Sequence, residues 1–255
     1  MSVNLRTDIC TDPVEDPALI FTPESDDFQN HTYKGIFLEQ AVLTNAPTGS
    51  GKTRAIHYSA AHYLRQNMSV AITTPIKALS NQKYKEFVED FVPDFFEQSE
   101  IEAEIGIMTG DRVINPDADC IIMTTEILKE SLNNFGDEIK KERYLQPSFM
   151  ERLGCVVFDE AHYFNDADRG EVWEYILVNL PKHINVVLLS ATLPNVEHFA
   201  NWLACTRERD LCLVIKNERI VPLTHYAFVE DTLYKIMDDK EGFIRTKYER
   251  AINRY

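Results

Sequence analysis

From about residue 40 onward, short unbroken apolar runs alternate with segments whose apolar residues recur three and four positions apart. The runs "QAVLTNA", "SVAITTP", "AEIGIMT", "DCIIMTT", "GCVVFDE" and "NVVLLSA" are too continuous for strands with one wet face and suit strands buried on both faces. Between them, "RAIHYSAAHYLRQ", "IKALSNQKYKEFVEDF", "TEILKESL", "EVWEYILVNL" and "VEHFANWLA" carry the helical spacing. Alternating strand and helix predicts an α/β fold, a mostly parallel sheet with helices on both faces joined by right-handed crossovers. In such sheets ligands gather at the carboxyl ends of the strands. Residues 1–20 mix Asp, Pro and Thr without periodicity and read as a loosely held, flexible N-terminal arm. Residues 133–152 read as a polar, charged insertion, "LCLVI" and "THYAFV" as further strands, and 231–255 as a polar linker.

The composition adds bounds. At 255 residues the chain has room for one large α/β domain or two small ones, with ample apolar content for a core. No apolar run approaches the roughly 20 residues a membrane-spanning helix requires, and the start "MSVNLRTDIC" lacks a secretory pattern, so a soluble, intracellular protein with no membrane partner is expected. Cys10, Cys120, Cys155, Cys205 and Cys212 are odd in number and contain no C-x-x-C pair, and read as reduced thiols. The net charge of -15 argues against a general nucleic-acid binder, which would use surplus Lys and Arg to displace counterions. The excess acid is concentrated near the start, between Glu86 and Glu104, and near the end, and reads as solvated surface.

Two motifs at predicted strand ends carry chemistry. "APTGSGKT", Ala46 to Thr53, joins a strand to a helix, as a phosphate-binding loop does. There Thr48, Gly49, Ser50 and Gly51 would cradle phosphate oxygens with backbone N–H groups, Lys52 would reach the β- and γ-phosphates, and the Thr53 hydroxyl would hold Mg²⁺. The first glycine of the usual pattern is Ala46 here. "VVFDEAH" is an apolar strand ending in two acids: Asp159 could bind Mg²⁺, and Glu160 could orient and deprotonate an attacking water. Together the motifs specify an NTP hydrolase working by Mg²⁺ positioning and charge stabilisation.

Three further stretches narrow the class: "TTPIKALSNQKYKEF", "MTGDRVINPDADCIIMTTEILKESL" and "LLSATLPNVEHFANWL". In this order the sequence resembles the first RecA-like domain of a superfamily-two DExH-box helicase, over roughly residues 20 to 230. "SNQKYKEF", "IMTTEILK", "NDADRGEVWEYILVNLP" and "VPLTHY" resemble the superkiller branch, whose members are RNA helicases that feed RNA to the exosome. "NDADRG" is closer to the cytoplasmic superkiller helicase than to its nuclear relative, which implies a cytoplasmic location with the nucleus as the alternative. The loop before Lys52 and Ala161 depart from the usual pattern of that branch.

The resemblance implies a domain over 21–230 that binds ATP with Mg²⁺, with Gln29 reading the adenine edge and Phe21 either against the base or in the core. It places Pro75, Lys77, Thr109, Gly110, Asp111, Thr124, Thr125 and Glu126 on single-stranded RNA, gripping the sugar-phosphate chain without reading bases; the alternative for each Thr or Pro is a cap or turn. It has Ser190 and Thr192 hydrogen-bond the Asp159–His162 loop and couple hydrolysis to movement, with His162 in that loop. Arg169 and Trp173 read as architectural, and the histidines show no ligand spacing. In such helicases a second RecA-like domain supplies arginine fingers, and the resemblance would start it beyond Tyr255, so this chain alone is expected to bind ATP weakly and hydrolyse it barely. A DNA helicase of the same superfamily and a helicase-like interaction module stay open as alternatives.

Overall fold

Each unbroken apolar run becomes a strand of one sheet. The computed structural model describes residues 1–134, 144–166, 169–191, 193–219, 222–238 and 242–252, and divides into two units, Met1–Lys216 and Asn217–Tyr255. In the first unit the strands are β1 (Val3–Arg6), β2 (Ala41–Asn45), β3 (Ser69–Thr74), β4 (Ile105–Met108), β5 (Val113–Ile114), β6 (Cys120–Thr124), β7 (Leu153–Phe158), β8 (Asn185–Ser190) and β9 (Leu211–Ile215). They form a nine-stranded sheet in the order β1-β9-β2-β8-β7-β3-β6-β4-β5. Every pairing is parallel except that of β4 with the short edge strand β5.

Side chains alternate across this sheet, which is why the runs are apolar throughout. Val42, Val70, Ile72 and Val157 face one core together with α1 (Asp27–Phe37), α2 (Thr53–Leu64) and the phenylalanines 87, 91 and 95. Ala41, Leu43, Ala71, Val156 and Phe158 face a second core with α5 (Thr125–Asn133), α6 (Pro147–Arg152), α7 (Gly170–Asn179) and α8 (Val196–Arg207). The segment expected as one helix after β3 is α3 (Lys77–Glu86), a π-helical turn over Phe87–Phe91, and α4 (Val92–Ser99). Phe87, Phe91 and Phe95 form a row on the first core, Phe87 tilted against Phe91 and Phe91 stacked on Phe95.

The segment 1–20 departs from the expectation of a loose arm. Val3–Arg6 pair with Leu211–Val214, the Ser2 N–H donates to Asp210 Oδ1 at 2.6 Å, and Gln98 clamps the Ile20 backbone through both ends of its amide. Ala18 and Leu19 are buried in the first core. A four-residue edge strand is too short for periodicity to reveal. The chain also divides after Lys216 rather than near 230. In the second unit β10 (Thr224–Val229), β11 (Thr232–Asp238) and β12 (Gly242–Phe243) form an antiparallel sheet beside α9 (Arg245–Ile252), so the expected linker carries a hairpin. Of the polar insertion expected over 133–152, residues 135–143 lie outside the described residues, and α6 occupies its end. Among the described residues no helix is long and apolar enough to cross a membrane. Cys10, Cys120, Cys155 and Cys212 are buried free thiols, and Cys205 is exposed.

Arg207 locks the far end of α8 in place. It is 2% exposed, and its guanidinium donates to the carbonyls of Leu177, Leu180, Pro181 and Ile184 at 2.6–3.1 Å. Burial pulls its pKa down to about 10, because desolvation disfavours the charged form. Substituting Arg207→Met leaves those carbonyls buried without donors, so chemical denaturation should show a loss of about 3 kcal/mol; a loss under about 0.5 kcal/mol would mean that water replaces the guanidinium.

Candidate functional site

The site follows from strand order. β8 lies between β2 and β7, and all three run the same way, so the loops leaving β2 and β7 emerge at one edge about 10 Å apart. β3 lies on the other side of β7, and the Asp159 N–H donates to the Thr73 carbonyl at 2.9 Å. Two motifs distant in sequence thus share one edge.

The loop from Ala46 to Lys52 curls because Gly49 and Gly51 adopt φ of 81° and 89°, a region open mainly to glycine. Lys52 folds its ammonium back onto the loop, donating to the Ala46 carbonyl at 2.7 Å and the Pro47 carbonyl at 3.0 Å. Thr53 is the first residue of α2, which sets its hydroxyl at the same edge, while the next two N–H groups, of Arg54 and Ala55, donate to the Gly51 and Lys52 carbonyls at 3.2 and 2.9 Å. Thr48 and Gly49 are exposed at the tip, while the Ser50 hydroxyl is buried without a hydrogen-bond partner.

Gln29 braces this loop. Its Oε1 accepts from the Asp26 N–H at 2.9 Å, half of a capping box that starts α1, and its Nε2 donates to the Gly51 carbonyl at 3.0 Å. Phe21 is a partly buried ring against the first core, stacked on Tyr33 at 5.6 Å with the Arg54 guanidinium 5.3 Å from its centroid.

Asp159 and Glu160 follow β7. Burial pushes the Asp159 carboxyl above its usual range, and the Lys83 ammonium opposes that shift. Asp159 Oδ1 also accepts from the Glu160 N–H at 3.0 Å. Glu160 sits in the left-handed region, with φ of 55° and ψ of 46°. For a residue other than glycine that costs about 1–3 kcal/mol and tends to mark functional turns. Its Oε2 stands 3.3 Å from His162 Nδ1, yet neither atom is aligned into a hydrogen bond. Ser190, expected to bond this loop, has a buried hydroxyl with no partner; it is the carbonyl of Ser190 that accepts, from the Ala46 N–H at 3.0 Å. The cause is again strand order, which sets the end of β8 against the phosphate loop. Thr192 lies outside the described residues. Unsatisfied polar atoms are rare in native interiors; those on Ser50, Glu160, His162 and Ser190 lie at this edge, where a polar ligand would meet them, while those on Tyr58 and Ser69 lie elsewhere.

Lys83, which periodicity gave no reason to single out, sits among these groups. It is 7% exposed, and its ammonium lies 3.4 Å from Thr53 Oγ1, 3.1 Å from Glu86 Oε2 and 3.9 Å from Asp159 Oδ2. His57 was likewise unremarkable in the sequence, and its Nε2 stands 3.1 Å from Glu86 Oε1. Burial pushes the Glu86 carboxyl up, but the hydrogen bonds and charges of His57 and Lys83 outweigh that and hold it below its usual range.

Along the same edge, the ends of β3, β4 and β6 bring together the remaining expected positions. Lys77 and Asp111 form an exposed ion pair beside Gly110. Thr109 closes a tight turn, its hydroxyl accepting from the Arg112 N–H at 3.2 Å. Thr125 donates to the Thr74 carbonyl at 3.2 Å, Thr124 caps α5 by position without a side-chain bond, and Glu126 is exposed. Two of these hydroxyls therefore serve the fold as turn and strand-end locks. Arg169 donates to the Pro75 carbonyl at 2.7 Å and lies over the Tyr163 ring, and Trp173 is buried against Phe158, so both act architecturally.

Residues 26–199 match the DEAD/DEAH box helicase family. The chain is 39% identical to the Exosome RNA helicase MTR4 of Homo sapiens over 230 residues, 89% of this chain and 20% of that protein. It is 35% identical to the Antiviral helicase SKI2 of Saccharomyces cerevisiae over 237 residues, 93% of this chain and 17% of that protein. The chain thus spans about a fifth of the length of the curated relatives it matches. Its fold is similar to that of the DUF1998 helicase MrfA, solved bound to DNA and AMPPNP, with a TM-score of 0.59 at 19% identity over 76% of this chain and 27% of that one.

A Cβ on Gly51 would stand 2.7 Å from Gln29 Nε2, on a backbone at φ of 89°. Gly51→Ala should therefore cost about 2 kcal/mol in thermal or chemical denaturation, part strain and part the lost Gln29 bond. Adding Gln29→Ala should cost less than the sum of the two single changes, and strict additivity would show that the two residues do not meet.

Proposed function

The chain belongs to the DEAD/DEAH box helicase family, and from that premise we propose that it is the ATP-binding motor domain of an ATP-dependent RNA helicase, one that unwinds RNA or feeds it to exosome-type degradation. One observation carries the proposal. The Thr53 hydroxyl of the phosphate loop and the Asp159 carboxylate of the acid strand both lie within 4 Å of a single ammonium, that of Lys83. Loop and acid therefore face each other across one small space, as a nucleotide hydrolase requires.

In this reading the loop N–H groups and the start of α2 receive the phosphates. Lys52 exchanges the carbonyls of Ala46 and Pro47 for phosphate oxygens. The second amide hydrogen of Gln29 remains for the adenine edge, while the first holds Gly51. Hard oxygens on Thr53 and Asp159 suit Mg²⁺, which when bound would neutralise charge developing on the phosphates. Glu160 orients the attacking water and takes its proton, and its strained backbone fixes the carboxylate beyond the end of β7. His162 beside it, and Ser190 and Thr192 after β8, link this chemistry to movement of the domain.

RNA would lie along the edge carrying Pro75, Lys77, Thr109, Gly110, Asp111, Thr124, Thr125 and Glu126. The paired Lys77 and Asp111 make that face nearly neutral, so binding rests on backbone groups and shape more than on charge. RNA as substrate, and the exosome as the destination, are supported by the relative named as an exosome RNA helicase. A second RecA-like domain, elsewhere in the longer protein that such relatives represent, would complete the cleft and supply arginines.

Steady-state ATP hydrolysis by the chain, with and without single-stranded RNA, tests the proposal together with ATP affinity. Lys52→Ala should weaken ATP binding at least about tenfold, because a charge-assisted contact is lost. Glu160→Gln should leave affinity nearly intact and cut residual turnover by about 10²-fold or more. Equal ATP affinity for Lys52→Ala would favour a pure interaction module, and preference for DNA over RNA of equal length at fixed salt would redirect the substrate.

A further inference from the structure

Lys83 is given no role in the reading above, yet its ammonium lies within 4 Å of both oxygens assigned there to magnesium. A buried ammonium is costly unless paired, and this one is paired with the very oxygens on Thr53 and Asp159 to which the metal is assigned. Its nearest anion is a third group, the Glu86 carboxylate at 3.1 Å, on the next turn of α3. Glu86 is itself backed by His57 at 3.1 Å, whose ring packs against Phe87 at 4.9 Å and Phe91 at 5.4 Å. The arrangement gives the ammonium a choice between the metal ligands and a braced carboxylate.

A divalent ion held by Thr53 and Asp159 would draw on oxygens that the Lys83 ammonium also approaches, so the two cations would repel and compete for the same lone pairs. We propose that Lys83 is a positioning residue of the magnesium site: it holds Thr53 and Asp159 together through its own charge, and when Mg²⁺ binds it gives up those two contacts and keeps Glu86, which it already holds. Glu86 is then the remaining partner, and His57 keeps it in place. The inference rests on the nucleotide-site reading above. Its consequence is that Lys83 weakens magnesium affinity and Glu86 strengthens it, two opposite effects from partners in one ion pair.

The test measures binding of a fluorescent ADP analogue to the 255-residue chain across a magnesium series at constant ionic strength, and reads the magnesium concentration at half-saturation. Lys83→Met should lower that concentration at least about tenfold, since a competing charge in contact range is removed. Glu86→Gln should raise it, because the ammonium loses its alternative partner, and Lys83→Arg should stay near the unmodified chain. A merely structural Lys83 would shift melting temperature in all variants and leave magnesium half-saturation where it was, which overturns the inference, as would a rise for Lys83→Met. If Lys83→Met does not fold, Glu86→Gln decides alone, and an unchanged or lowered value sinks the proposal. If the unmodified chain shows no magnesium-dependent ADP binding, the nucleotide-site reading itself fails and this inference falls with it; magnesium-dependent binding that the variants leave unmoved removes only the role of Lys83.

Discussion

Parallel pairing of β2, β8, β7 and β3 is the constraint on which the rest depends. Strands that run the same way end at the same edge, so each loop leaving the sheet there must share space with the others. The order inserts β8 between the phosphate-loop strand and the acid strand, which sets a gap of about 10 Å between their tips. That gap leaves room for a polar ligand between the two loops, and the Lys52 charge still acts on the Asp159 carboxyl across it. The crossover helices that parallel pairing demands lie on both faces and bury the central strands almost completely.

At that edge polar groups are left in an uneven balance. The Ser50 and Ser190 hydroxyls have no partner, the Glu160–His162 pair is close but misaligned, and Glu160 holds a left-handed backbone. A core optimised for stability alone would satisfy or remove each of these. By contrast, neighbouring side chains bind the fold: Gln29 to Asp26 and Gly51, Arg169 to Pro75, Thr125 to Thr74, Glu86 to Lys83. Stability is invested in the support, and the unsatisfied atoms of Ser50, Glu160, His162 and Ser190 lie just beneath the edge where a ligand would arrive.

The acidity of the chain acquires a meaning here too. A net charge of -15 opposes attraction of any polyanion at long range, and the cations on the candidate nucleic-acid face are tied locally, Lys77 to Asp111 and Arg112 to Asn81 and the Tyr84 ring. Recognition of a sugar-phosphate chain on such a face must come from short-range hydrogen bonding and fit. The acid-rich runs that produce the charge lie largely on exposed positions.

The sequence by itself determined what is local. Unbroken apolar runs gave β2, β3, β4, β6, β7, β8 and β9, helical spacing gave α2, α3, α5, α7 and α8, and the two motifs fall at strand ends as expected, the Ala46–Lys52 loop after β2 and the paired acids after β7. Such features are legible because periodicity and turn chemistry act over a few neighbouring residues. What only the tertiary structure decided is convergence. Lys83 reads in sequence as one more lysine in a polar helix, and His57 as a lone histidine; strand order and the packing of α3 against α2 turn them into the inner wall of the site. Likewise β1 has no signal of its own, since four residues become a strand only when β9 offers an edge to pair with. Which polar atoms meet across a fold depends on distances that local patterning does not encode, because they are set by the order in which distant strands are laid side by side.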